Sequence, residues 1–258
     1  MTPGTPAEPG RESGGFHTTH WSLILASLDA ESGDRQAREA LAQLCRIYWR
    51  PIFAFICHKG YSVPDAQDLT QDFFMMVLQG KLLERADRSR GRFRSLLLRA
   101  LQNFMIDAYE KRRAQKRGGD AKFVAWDEWM AEAPSQLSLP MAAASQWPAE
   151  TVFDVRWAAT LAEQALRRLQ EECERHGRRR VFDALSGALT AEREDISYAA
   201  MARDLGVEES KIKPLLHQMR LRYRQLLRAE VSATIENPAD LDDELRYLCT
   251  ALVASTSS

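Results

Sequence analysis

The residues best equipped for chemistry in this chain are cations in two runs. The first run, 92 to 117, reads RFRSLLLRALQNFMIDAYEKRRAQKR and carries Arg92, Arg94, Arg99, Lys111, Arg112 and Arg113, with Asn103 and Asp107 among them. The second, within 197–227, carries Ser210, Lys211, Lys213 and Arg220. Their chemistry is recognition rather than bond making. Guanidinium and ammonium groups neutralise phosphates and release counterions, and polar or aromatic groups beside them hold unstacked bases. A basic patch alone does not choose its partner, so DNA, RNA and an acidic protein all stay open here. A third set, Asp65, Asp68, Gln71 and Asp72 with Phe74 beside them, forms an acidic helix side that could equally be a solvated face.

Nothing suggests catalysis. His17, His20, His58, His176 and His217 show no metal-ligand spacing, and there is no phosphate-binding glycine loop and no GxSxG elbow. The expectation is a protein that is not an enzyme, with no cofactor and no metal. Cys45, Cys57, Cys173 and Cys249 form no CxxC pair and read as buried, reduced thiols.

The elements that must position these residues are helices. Strand-like alternation is scarce, and the 258 residues are 45% hydrophobic, enough for one large domain or two small ones. A first helix starts after Thr18 or Thr19, and Gly33 ends or follows it. A second spans about 35–58, and a kink is expected at Pro51. Ser62 caps a third, with Asp65 three residues on, and Leu69, Phe73, Met76 and Val77 point inward. A fourth buries Phe93, Leu97, Ala100, Leu101, Phe104 and Ala108 until Gly118 and Gly119 stop it. Another places Phe153, Trp157, Leu161, Ala165, Leu169 and Cys173 on one side, and a shorter one follows with Val181, Phe182, Leu185 and Leu189. No apolar run reaches the roughly 18–20 residues that span a bilayer. The opening MTPGTPAEPGRESGG has no apolar core, so the expected location is the cytoplasm.

Charge divides the chain. The total is −1, yet 85–118 holds eleven Lys/Arg against three Asp/Glu, and 211–228 holds six Lys/Arg and no acid. Residues 119–150 and 236–258 are each net −4, with five acids against one cation. Binding responds to the local field, so a near-neutral total does not exclude a nucleic acid.

The most specific local pattern is Tyr198 to His217. Ala202 is the small residue a helix-turn-helix needs where its helices cross, and Gly206, four residues on, suits a left-handed turn. Met201, Leu205, Val207, Ile212 and Leu215 fall where the helices must lock, and Ser197 is a good N-cap. Pro214 conflicts with this frame, because an interior proline loses the bond to the Ser210 carbonyl. The second helix therefore either starts late, near Lys213, or is kinked.

The runs DAQDLTQDFFMMVLQ (65–79), RFRSLLLRALQNFMIDAYEKRRAQKR (92–117) and SYAAMARDLGVEESKIKPLLHQMRLRYRQLL (197–227) together resemble bacterial RNA polymerase sigma factors. The first two resemble region two and the third region four of the extracytoplasmic-function type. The resemblance implies an all-α fold: two helical domains, a region-two bundle and a region-four helix-turn-helix, joined by a long, partly helical linker. The expected divisions are a disordered tail at 1–17, the first domain at 18–118 and an acidic linker at 119–150. A helical pair with the helix-turn-helix follows at 151–230, and a C-terminal extension at 231–258.

The resemblance also implies roles. Asp65, Asp68, Gln71, Asp72 and Phe74 would bind the clamp helices of the largest subunit of core RNA polymerase. Arg92, Arg94, Arg99, Asn103 and Asp107 would open promoter DNA and hold a flipped base, with Lys111, Arg112 and Arg113 on the backbone. Ser210, Lys211, Lys213 and Arg220 would sit on duplex. The implied partners are core polymerase, promoter DNA and an anti-sigma factor, with no membrane. The alternatives are a helix-turn-helix regulator that works without polymerase and a helical interaction protein that has lost promoter reading. The linker is longer than is usual in the family, and the acids past 236 could cover the cationic face of region four as a lid.

Overall fold

A computed structural model describes residues 34–78, 92–114, 146–191, 193–235 and 237–256. The described residues form helices and short turns, with no strand among them. The helix expected after Thr18, the loop 84–91 and most of the acidic linker lie outside them. Three helices make the first group: α1 (Asp34–His58), α2 (Val63–Leu78) and α3 (Phe93–Ala114). A long helix, α4 (Ala149–Arg175), follows, then the short α5 (Arg179–Leu185). The last three are α6 (Tyr198–Leu205), α7 (Glu209–Ser232) and α8 (Leu241–Thr256).

The local chemistry explains the boundaries. The Ser62 hydroxyl accepts from the Asp65 amide at 3.3 Å and donates to the Asp65 carboxylate at 2.8 Å, closing the first turn of α2. Asn237 Oδ1 accepts from the Ala239 amide at 3.1 Å, and Pro238 opens the 3-10 turn that leads into α8. The chain stays helical on both sides of Pro51.

Two large apolar cores lie among the described residues, and α4 belongs to both. Its first half supplies Phe153, Trp157, Ala158 and Leu161 to a core built with Tyr48, Ile52 and Phe55 of α1, Phe73 of α2, and Phe93, Leu97 and Leu101 of α3. Its second half supplies Ala165 and Leu169 to a core with Phe182, Leu185, Ile212, Leu216 and Met219. The first half of α4 is enclosed nearly all round, with 152–155 and 157–162 buried, and beyond it the helix narrows to one buried side at Ala165 and Leu169. The first helix of the expected pair is therefore a spine shared by both cores. Val231 of α7 and Leu248 of α8 also enter the first core, so α8 packs beside α4.

Thiols follow burial. Cys45 is buried and its pKa is pushed up to about 12, which keeps it protonated and inert. Burial also raises Cys57 and Cys173, which are half-buried. Cys249 is exposed on α8, contrary to the expectation of four buried thiols. No described helix is long and apolar enough to cross a membrane.

Candidate nucleic-acid interface

The helix-turn-helix is built as its spacing requires. The Ser197 hydroxyl accepts from the Ala200 amide, and α6 ends at Gly206 with φ 67° and ψ 35°. The Val207 amide then donates to the Ala202 carbonyl at 3.1 Å, a bond that closes the C-terminal turn. Ala202, Ile212, Leu216 and Met219 are buried between the helices, with Tyr198, Met201, Leu205, Val207 and Leu215 against them.

At Gly206, which closes the turn with φ 67°, a side chain meets a conformational cost. No atom lies within 4 Å of where a Cβ would stand, so the cost of Gly206→Ala is the left-handed backbone alone. A loss of about 1–2 kcal/mol is expected in a thermal or urea melt. A neutral substitution would show that the turn can be rebuilt without positive φ.

Pro214 does not delay α7. The helix starts at Glu209, more than a turn before it, and Glu208 and the following residues begin the winding, with Lys211 N bonded to Glu208 O at 3.0 Å. Ser210, Lys211, Lys213 and Pro214 are all exposed. The Ser210 carbonyl that lacks its usual amide partner thus belongs to a water-facing stretch, where solvent can replace the lost bond. An exposed proline ring in the first turns still offers an apolar contact to a base methyl. Arg220 is different. Its Nη2 donates to the Ala188 carbonyl at 2.7 Å and the Ala191 carbonyl at 3.1 Å, so it braces the turn before α6 instead of facing a phosphate.

The acidic side of α2 divides. Asp68 and Asp72 are exposed, and Asp65 is half-buried in its cap. Phe74 departs from expectation. It is 6% exposed and meets Phe73 edge-on at 6.3 Å, because α2 buries two successive phenylalanines in the first core. A side chain so enclosed cannot reach a partner at the rim. Gln71 is half-buried, and its amide nitrogen has no hydrogen-bond partner among the described residues.

On α3, Arg99, Asn103 and Asp107 are exposed. Arg99, Asn103, Ile106 and Glu110 recur at steps of four, three and four, so they share one outward face. The backbone of Lys111, Arg112 and Arg113 continues α3, while their side chains lie outside the described residues.

Arg94 is the main departure. It is buried at 6% exposure, and its Nη1 donates to Asp154 Oδ1 while its Nε donates to Glu244 Oε1 at 3.2 Å. The planar guanidinium lies between the Trp157 ring, 4.7 Å from its centroid, and the Tyr247 ring at 4.3 Å. Burial alone would lower the Arg94 pKa, but Asp154 and Glu244, with Tyr247, overcome it and raise it. Arg92 is one-third exposed and joins the cluster through Glu244 at 2.8 Å. The expectation that Arg94 faces a DNA strand therefore does not match its position. It sits one turn too early on α3, where α4 and α8 cover the helix.

One feature of the surface escaped the sequence reading. An open cleft of about 470 Å³ runs between the end of α1 and α3, lined by Lys59, Tyr61, Gln102, Ile106, Tyr109 and Glu110 over Phe55 and Met105. Lys59 Nζ stands 5.2 Å over the Phe55 ring, and Tyr109 and Ile106 are each more than half exposed. The two tyrosine rings offer stacking surfaces, and Lys59 is the cation of the cleft, 3.9 Å from Glu150 Oε1 and sharing the opening with Glu110. The available signal was Tyr109 and Ile106 on the polar side of an otherwise regular amphipathic helix.

No group of three or more His, Cys, Asp or Glu among the described residues could hold a metal ion. Comparison of the chain with family models, curated proteins and solved structures finds no match.

Proposed function

We propose that this chain is a sigma factor of the extracytoplasmic-function type, which binds core RNA polymerase and directs promoter recognition and DNA opening in transcription initiation. The observation that carries the reading is the joining, in one chain, of a locked helix-turn-helix to a bundle that shows Asp68 and Asp72 to solvent. A regulator that only grips duplex has no use for an acidic face on a separate helix. In this reading α2 docks on the polymerase clamp, and α3 with its cleft receives the displaced strand. The exposed start of α7 follows duplex, with Lys211 and Lys213 on phosphates. The finer expectation of a region-two and a region-four unit belongs to the same proposal, with α4 as the shared spine.

The test is promoter-dependent run-off transcription with purified core polymerase and the full chain. Specific transcripts are expected only when both are present. A chain that binds duplex but neither binds core nor yields transcripts is instead a regulator acting without polymerase.

Tyr109→Ala tests the cleft. The ring is 58% exposed, so folding should be preserved. Binding to a labelled single strand is expected to weaken by about 1–3 kcal/mol, the usual worth of one stacked base. Unchanged affinity in fluorescence anisotropy would remove the cleft from the strand path.

A further inference from the structure

We infer that α8 is a clasp that competes with nucleic acid for the start of α3, using Glu244 where a phosphate would otherwise pair with Arg92 and Arg94. The inference rests on the reading of α3 as a strand-binding helix, and it names a regulation of that site.

Glu244 is 1% exposed and takes both arginines, Arg92 Nη1 at 2.8 Å and Arg94 Nε at 3.2 Å. Three residues on, Tyr247 covers one face of the Arg94 guanidinium and donates its hydroxyl to Asp154. On the other side of the helix, Asp242 pairs with Arg228 of α7 at 2.8 Å. One short acidic helix thus ties the start of α3, the spine α4 and the long helix α7 together. The helix expected as a lid over region four holds Arg92 and Arg94 of the first basic run through Glu244, and Arg228 of the second through Asp242.

The way α8 is held suits release. The spine α4 buries thirteen residues. Among the described side chains of α8, only Glu244 and Leu248 are buried, with Leu241, Leu245, Ala251 and Leu252 partly so. A desolvated ion pair contributes little beyond the cost of drying its charges, so α8 is weakly anchored for its length. Carboxylate and phosphate are the same kind of acceptor for a guanidinium fork. A polyanion can therefore take the place of Glu244 on the two arginines, and releasing α8 costs the burial of Leu248 and the partial burial of Leu241, Leu245, Ala251 and Leu252. While the clasp is shut, the apparent affinity for a strand is reduced by the fraction of molecules in which it is open.

The experiment uses the full chain and a fluorescein-labelled oligothymidine. Glu244→Gln removes the charge that faces Arg92 and Arg94. Asp243→Asn removes one charge from an exposed position of the same helix and serves as its control. Glu244→Gln should bind the strand about tenfold or more tightly, by removing most of the closed-state penalty, and Asp243→Asn should match the parent. Hydrogen exchange on the parent chain gives a readout that needs no variant. Saturating oligonucleotide should strip protection from the amides of 241–256 while 149–175 stay protected. Binding with α8 still protected overturns the clasp and leaves strand binding intact. This holds even if Glu244→Gln binds more tightly, because the gain is then only lost repulsion. If neither the parent nor Asp243→Asn nor Glu244→Gln binds the oligonucleotide, the strand-binding reading of α3 falls, and the clasp with it.

Discussion

Arg94→Ala is expected to lower the unfolding free energy of the full chain by about 3–5 kcal/mol, measured by urea denaturation. The side chain holds two carboxylates, Asp154 and Glu244, at a site where Glu244 is 1% exposed. Removing the cation leaves both acids with no buried counter-charge except Arg92, which reaches only Glu244. The variant also vacates the space between Trp157 and Tyr247, where the guanidinium makes two ring contacts. Arg94→Lys should recover little, because a point charge cannot fork between Asp154 and Glu244 while lying flat between two rings. A combined variant, Arg94→Met with Asp154→Leu and Glu244→Met, should regain most of the loss, since an apolar trio avoids the desolvation that the ion pairs only offset. A loss below about 1 kcal/mol for Arg94→Ala would mean that the acids relax into water and the cluster is not closed.

This cluster also marks where sequence reasoning stops. Arg94 and Glu244 are 150 positions apart, and no local pattern links them. The same run of residues, RFRSLLLRALQN, places Arg94 and Arg99 in an identical cationic context, yet one is buried and the other exposed. What separates them is the path of α4 and α8 across the start of α3. Amphipathic spacing fixes which side of a helix is apolar, but not which neighbour covers its polar end. Phe74 fails for a related reason. Two adjacent aromatics on a helix point about 100° apart, and only the packing around α2 decides whether both are covered.

Features set by short-range chemistry were legible. The Ser62 cap, the Ser197 cap and the left-handed Gly206 each depend on groups within four residues, and each stands where its neighbours require it. The stripe from Phe153 to Leu169 was legible as a helix face too. Its division between two cores was not, because Leu161 and Ala165 look alike in sequence and differ only in what packs on them. Pro214 lies between these cases. Its lost hydrogen bond could be inferred, but the start of α7 at Glu209 depends on how Glu208 leaves the turn, with φ −66° and ψ 143°.

Reversal of the acidic side of α2, Asp68→Lys with Asp72→Lys, is expected to weaken binding to core polymerase about a hundredfold or more and to abolish promoter-dependent run-off. Both residues are exposed, while Ala66, Leu69, Phe73 and Val77 on the opposite side are buried. Stability should therefore change by no more than about 0.5 kcal/mol, and a melt on the same samples shows whether any loss of binding is a loss of fold. Charge reversal is more decisive than truncation, since it replaces an attraction with a repulsion at the same place, and paired interface charges couple by several kcal/mol. The pair Asp183→Lys with Glu174→Lys supplies the control, because those acids are exposed near α5 and bond to Arg179 on the other group of helices. If both double variants bind core alike, the acidic side of α2 is only a solvated face. A chain that still binds duplex through α7 would then act without polymerase. If only the α2 variant fails while its duplex binding is kept, the two surfaces are separable, as a factor that must hold polymerase and promoter at once requires.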